Sequence, residues 1–402
     1  MAVPQHIVIV GASLAGHRAL TELRRRGFDG RITLIGAEKH YPYDRPPLSK
    51  QILQGAWEPV RTLLDDPDHY AGLGIEMLLG KRATGLDTTT RAVELDDGTR
   101  VPFDALLIAT GASPRALPNT PPLAGLHTLR TMDDAIAIRR AFEAGARVCV
   151  IGAGFIGAEV AASARQLGLE VTVVEALEQP LARVLGPTIG AAVARIHREH
   201  GVDLRLNARV TGFEGSERVE AVTLADGSKI PADVVIVGIG VQPNTAWLEG
   251  SGLALDDGVL CDATLATNVP GIWAAGDVAR WYNPQYGRHM RAEHWTSAVE
   301  QGMAAAANIL AGPGAAQPHS SIPYVWSDQY DVSIQVNGDP QAGDDVHVLH
   351  DEPDARKFLA AYSHEGKLTA IVGWGTGMRR RMAQLHPLLE RHAPIAEALT
   401  AH

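Results

Sequence analysis

Apolar residues in this chain gather in short unbroken runs, and most runs stop at a glycine or an acid. Residues 7–10 (IVIV) stop at Gly11, 148–151 (VCVI) at Gly152, 171–174 (VTVV) at Glu175 and 234–237 (VVIV) at Gly238. Residues 105–109 (ALLIA) end in Thr110-Gly111. A strand with one wet face alternates apolar and polar positions. An uninterrupted run means that both faces are covered, as in a parallel sheet flanked by helices. The intervening segments agree: one helix is expected through Arg25 with Gly27 as its cap, another after Gly157, and another over about 189–199.

Elsewhere the pattern shortens to weak alternating strands, over 75–104 and again after 199, with Asp96-Asp97-Gly98 and Asp226-Gly227 as hairpin turns. Pro114, Pro118, Pro121 and Pro122 crowd one crossing between domains, and 238–244 (GIGVQPN) forms a second. The same order of elements therefore occurs twice, an internal repeat of architecture. Gly312-Pro313-Gly314 marks a linker, and a last helix is expected near 387–399. The pattern predicts an α/β chain in four segments. These are a first dinucleotide-binding domain over 1–114, a second over 115–242, the return of the first over 243–316, and an α+β domain over 317–402.

Composition narrows the class. With 402 residues, 46% hydrophobic and 20% charged, the chain has the make-up of a water-soluble globular protein with several cores. No apolar run reaches membrane-spanning length, and the opening residues lack the basic stretch and cleavage site of a signal peptide, so a cytoplasmic location is expected. A net charge of −10 argues against nucleic acid. The two cysteines, Cys149 and Cys261, are too few for an iron–sulfur cluster and form no C-x-x-C pair.

The glycines carry the chemistry. Gly152, Gly154 and Gly157 follow a strand at G-x-G-x-x-G spacing: the first permits the tight turn, the second lets backbone N–H groups approach a pyrophosphate, and the third lets the helix pack on the strand. The helix directs its positive end at the phosphates. Glu175, at the end of the next strand, is placed to accept both ribose hydroxyls. Its charge opposes a 2′-phosphate, and Ala176-Leu177-Glu178 supply no arginine, so NADH is expected over NADPH. Residues 6–16 (HIVIVGASLAG) repeat the element with Gly11, Ser13 and Gly16, Ser13 standing for the middle glycine, and Glu38 follows the next strand. Two such units mean two dinucleotides, or one duplicated domain with a dead site.

Some further residues have two readings. In 41–50 (YPYDRPPLSK), Arg45 and Lys50 either face a cofactor beside the first fingerprint or decorate a rigid surface turn; Ser49 is placed to cap a helix. Asp277, after 271–276 (GIWAAG), either accepts from a ribityl chain or caps a turn. Glu159 reads by itself as a solvated helix-start carboxylate. Read by themselves, Trp295 and Trp326 fill the core, and Arg379-Arg380-Arg381, with Arg288 and Arg291, are solvated charges.

Taken together, HIVIVGASLAG, YDRPPLSK, LLIATG, LRTMDDA, VIGAGFIGAEVA, GIGVQPN, AAGDVA and WSDQY resemble the FAD-dependent ferredoxin reductases of bacterial oxygenase systems, of the putidaredoxin-reductase and biphenyl-dioxygenase-reductase type. The resemblance spans about 6–335. It implies a glutathione-reductase-like fold, with FAD at the first fingerprint contacted by Ala15, Glu38, Lys50, Ala83, Arg130, Asp277 and Trp295. It also implies NADH at the second, with Glu159 and Glu175, and hydride transfer to the flavin with Lys50 and Glu159 tuning local charge. Electrons then leave singly for a [2Fe–2S] ferredoxin serving a P450 or Rieske oxygenase. The resemblance implies, too, that Trp295 and Trp326 flank the flavin or the electron exit and that the arginines named above dock the partner. Rubredoxin- or nitrite-reductase-linked reductases and an NADH-sensing protein like apoptosis-inducing factor are the neighbouring alternatives. NADH oxidases and CoA-disulfide reductases of this fold carry a reactive cysteine near 43–49, and this chain has none there.

Overall fold

The computed structural model describes residues 4–401. The chain divides into two compact units, each assembled from three separate stretches. The first takes the chain up to Asp44, then Thr62–Ser113 and Gln242–Pro323; the second takes Arg45–Arg61, Pro114–Val241 and everything from Tyr324 onward.

The unbroken apolar runs become the middles of two parallel five-stranded sheets. In the first unit the order is Ile272–Ala274, Ala105–Ile108, His6–Val10, Arg31–Gly36, Ile75–Leu79. In the second it is Leu126–His127, Val234–Val237, Val148–Ile151, Val171–Val174, Asp203–Arg205. The registers match as well: Val10 lies between Ile35 and Ile108, and Ile151 between Val174 and Val237. Each unit also carries a three-stranded antiparallel sheet, Ala83–Asp87 with Ala92–Leu95 and Arg100–Pro102 in one, Val210–Glu214 with Ala221–Leu224 and Lys229–Pro231 in the other. Even the irregularity is repeated, since the first strand of each bulges, between Ala83 and Gly85 and between Val210 and Gly212.

The second unit adds a five-stranded antiparallel sheet in the order Tyr324–Gln329, Val332–Gly338, Lys367–Trp374, Lys357–His364, Asp345–Glu352. The helix Ala182–Glu199 packs on it through Leu185, Ile189, Val193 and Ile196 against Ile334, Val336, Tyr362 and Val372. Leu185, Ile189 and Val193 are fully buried, and burial of each such side chain contributes ~1.5–3 kcal/mol. This helix starts seven residues before the expected 189, because it is two helical pieces joined at Gly186 (φ 74) and Pro187. The Tyr362 hydroxyl donates to the Leu185 carbonyl beside that kink at 2.7 Å.

The C-terminal helix also differs from expectation. It resolves into Met378–Glu390 and Ile395–Thr400, with Pro387 inside the first rather than at its start. Met382, Leu385 and Leu389 keep one buried stripe running past the proline, which holds the helix together. The hairpin of Ala279–Asn283 and Arg288–Met290 separates Asp277 from the helix Trp295–Ala311, so Asp277 does not lead directly into it. Among the described residues no helix is long and apolar enough to cross a membrane.

Candidate active site

In the first unit the turn after His6–Val10 is forced by Gly11. Its φ is +128, and a Cβ there would lie 2.0 Å from the Ala109 carbonyl oxygen. Five residues on, a Cβ at Gly16 would lie 2.0 Å from the Gly11 carbonyl oxygen, so only glycine lets the helix Leu14–Arg25 sit this close to its strand. The second unit repeats both constraints at Gly152 (φ +97) and Gly157. The middle position is different in kind. Gly154 is extended (φ −72, ψ −178), and a Cβ there would meet nothing within 4 Å. Ser13, its counterpart, is also extended (φ −125, ψ −161). A serine is therefore tolerated where the other cradle has glycine, because this position demands space and not a positive φ.

Neither Ser13 nor Gly154 makes a side-chain cap bond to its helix. The first-turn N–H groups are then donors for an anion at the helix end, where the dipole favours negative charge. Both cradles thus fit a pyrophosphate by the shape of the turn and by the chemistry of its donors.

Around the first cradle the chain gathers Ala15, Gly276 and the middle of the helix Trp295–Ala311. A Cβ at Gly276 would stand 3.1 Å from that of Ala15, and one at Gly302 would lie 2.5 Å from the Ala15 carbonyl oxygen. Gln301 Oε1 accepts from the Gly276 N–H at 2.9 Å, which fixes the turn carrying the half-buried Asp277. The Trp295 indole N–H donates to Asp44 at 2.7 Å. Glu38 accepts from the Tyr43 hydroxyl at 2.5 Å. Ala83 opens the antiparallel sheet opposite Leu95.

The acids after the two second strands are not equivalent. By register, Glu175 corresponds to Gly36, and Glu38 stands two residues further along. Glu175 is clamped by backbone: Oε2 accepts from the Ala153 N–H at 2.7 Å and Oε1 from the Leu177 N–H at 2.9 Å. At Gly36 no carboxylate fits, since a Cβ there would come within 2.6 Å of the Ala12 Cβ.

The second unit also holds the loop from Arg45. Ser49 ends a short 3₁₀ turn, Pro46–Ser49, instead of capping a helix. Its hydroxyl donates to Glu159 Oε2 at 2.5 Å, and Lys50 Nζ stands 3.1 Å from the same oxygen. Glu159 and Lys50 are only 4% and 8% exposed, so Glu159 is not a solvated helix-start charge. Its other oxygen accepts from Ser327 at 2.9 Å. In 326–330 (WSDQY) the sequence singles out Trp326 and assigns no role to Ser327. The period of two along a strand was the available signal, because it puts Ser327 and Gln329 on one face and Tyr324 and Trp326 on the other. Arg45 donates to the Arg130 carbonyl at 2.5 Å, and the Arg130 N–H donates to Asp134, in the capping box of the helix Met132–Glu143.

Both cysteines are free thiols. Both are buried, and they belong to different units. Burial pushes the Cys149 thiol up to about 12 and also raises that of Cys261. Among the described residues no group of histidines, cysteines and acids is arranged to hold a metal ion.

Comparisons with known proteins agree over most of the chain. A family model described as pyridine nucleotide-disulphide oxidoreductase matches residues 5–302, and one described as reductase C-terminal matches 324–402. The ferredoxin–NAD(+) reductase component of the anthranilate 1,2-dioxygenase system of Burkholderia cepacia is 38% identical over 381 residues, 93% of each chain. Putidaredoxin reductase of Pseudomonas putida is 37% identical over 350 residues, 85% of this chain and 82% of that one. The crystal structure of a covalent putidaredoxin reductase–putidaredoxin complex superposes with a TM-score of 0.91 at 34% identity, covering 97% of this chain and 94% of the other. The chain therefore belongs to the pyridine nucleotide-disulphide oxidoreductase family, among the ferredoxin–NAD(+) reductases of oxygenase systems.

Proposed function

We propose that this chain carries electrons from NADH, through a bound FAD, to a [2Fe–2S] ferredoxin that serves a P450 or Rieske oxygenase. The observation that carries the reading is the doubled cradle: two strand–glycine–helix turns of the same register and the same steric constraints, in a chain whose two thiols are buried apart. Relatives named ferredoxin–NAD(+) reductase components support the choice of acceptor. FAD, when bound, takes up electrons in pairs as hydride and releases them one at a time.

The residues divide between the two nucleotides. Gly11, Ser13, Ala15 and Gly16 cradle the FAD pyrophosphate; Glu38 serves its ribose and Asp277 its ribityl chain. Ala83, Trp295, Arg45, Lys50 and Arg130 complete the FAD set. Gly152, Gly154 and Gly157 hold the NADH pyrophosphate, and Glu175 accepts from its ribose. Lys50 and Glu159 set the charge at the nicotinamide. The four segments 1–114, 115–242, 243–316 and 317–402 are the corresponding domains, and the protein works in the cytoplasm.

The purified protein is expected to be yellow, to bleach rapidly with NADH, and to reduce cytochrome c only when a ferredoxin is added. A panel of [2Fe–2S] ferredoxins titrated into that assay tests the reading. Bleaching without any ferredoxin-dependent turnover across the panel would remove the assigned partner, and a colourless protein after reconstitution would remove the reading altogether.

A further inference from the structure

Glu159 does not end at Ser327. The Ser327 hydroxyl lies 3.1 Å from Gln329 Nε2, Gln329 Oε1 lies 3.0 Å from His197 Nε2, and His197 Nδ1 lies 3.1 Å from the Tyr330 hydroxyl. All of these residues belong to the second unit. Ser327 and Gln329 are fully buried and His197 is 2% exposed.

The direction of every bond in this chain follows from its end. A carboxylate only accepts, so the Ser327 O–H donates to Glu159 and its oxygen is left to accept. The group facing that oxygen must donate, which turns the Gln329 amide so that Nε2 faces Ser327 and Oε1 faces His197. His197 then carries its proton on Nε2 and accepts at Nδ1, which makes the Tyr330 hydroxyl the outermost donor. Burial keeps this imidazole neutral, with its pKa lowered to about 4, and raises that of the Tyr330 phenol, so both stay in the required forms at neutral pH. Each donor points toward the carboxylate, and bonds aligned in one direction polarise one another.

A second feature singles out the far end. Tyr330 has φ +58, a left-handed backbone that side chains rarely adopt, at the turn between Tyr324–Gln329 and Val332–Gly338. A turn residue alone would favour glycine there. The residue there is instead a tyrosine, its ring stacked on His200 with centroids 3.7 Å apart and its hydroxyl on His197.

We propose that Ser327, Gln329, His197 and Tyr330 are positioning residues for hydride transfer, a one-way hydrogen-bonded chain that fixes Glu159 Oε1 while Ser49 and Lys50 fix Oε2. This rests on the assignment of Glu159 to the nicotinamide. Hydride departure leaves positive charge on the nicotinamide ring, and a carboxylate held still stabilises that charge more in the transition state than in the ground state. Loss of the chain frees the carboxylate to rotate and lowers the rate without loosening NADH.

The test is stopped-flow bleaching of the holoenzyme by NADH, with limiting rate and half-saturating NADH read separately. Ser327→Ala is expected to lower the limiting rate about tenfold, equivalent to ~1.4 kcal/mol, with half-saturation changed less than about twofold; Ser327→Thr restores the rate. Tyr330→Phe, which keeps the backbone and removes only the last hydroxyl, is expected to lower it about two- to threefold. Wild-type limiting rates in Ser327→Ala and Tyr330→Phe, with only the thermal midpoint lowered, would make the chain mere packing and overturn the proposal. Glu159→Gln separates the premise: if that variant bleaches at the wild-type rate, the nicotinamide assignment itself fails.

Discussion

At the residue scale, function depends on side chains whose freedom the backbone removes. Glu175 shows this best. Both carboxylate oxygens are tied to backbone N–H groups, at 2.7 and 2.9 Å, so the charge cannot swing away from an incoming 2′-phosphate. Ala176, Leu177 and Glu178 beside it offer no cation. Glu175→Ala is therefore expected to narrow the NADH:NADPH ratio of kcat/KM by at least about tenfold, ~1.4 kcal/mol of discrimination. Steady-state kinetics with both nucleotides measures it, and an unchanged ratio would mean that preference is set elsewhere. The same reasoning explains why Ser13 departs from the glycine pattern without breaking the cradle: the constraint at that position is room, and the constraint at Gly11 is φ.

At the level of elements, the helix Ala182–Glu199 links the nucleotide cradle of the second unit to the C-terminal sheet. Its Leu185–Ile196 stripe is buried against the sheet, the Tyr362 hydroxyl covers the carbonyl at its kink, and His197 reaches Gln329. A kink frees backbone carbonyls from the helical ladder, and a buried carbonyl without a donor costs ~1–3 kcal/mol. Tyr362→Phe is expected to lower unfolding stability by that amount, read as a shift in urea midpoint at constant m-value. A midpoint within error of wild type would show that the Leu185 carbonyl finds another donor. The glycine turns and buried strands of this region were legible from the chain alone. The early start of the helix was not, because Gly186-Pro187 reads locally as a break; the stripe of Leu185, Ile189 and Val193 buried by a sheet far along the chain carries the helix through it.

Across the whole molecule the charge is −10, so docking through cations would need a local patch of them. Arg291 is not part of one: it is paired with Asp257 and Glu293 and its side chain is 11% exposed. The Arg379-Arg380-Arg381 run lies in the first turn of Met378–Glu390, with Arg379 and Arg380 exposed. Replacing the three by glutamine is expected to raise the KM for ferredoxin about three- to tenfold at low ionic strength, an effect that fades as salt screens the surface, while NADH–ferricyanide turnover stays at wild type. A parallel fall in both activities would place the arginines in the fold and not in docking.

The sequence by itself determined the two glycine turns, the parallel strands around them, the duplicated order of sheets, and the lack of any C-x-x-C spacing. These follow from local rules: backbone sterics at glycine, the burial pattern of strands, and the positions of two cysteines. Only the tertiary structure decided that Lys50, Ser49, Glu159 and Ser327 form one buried cluster, and that a tyrosine 171 residues from Glu159 in sequence stands at the end of its hydrogen-bonded chain. Hydrogen bonding across such separations depends on how sheets and helices pack, which no spacing along the chain encodes.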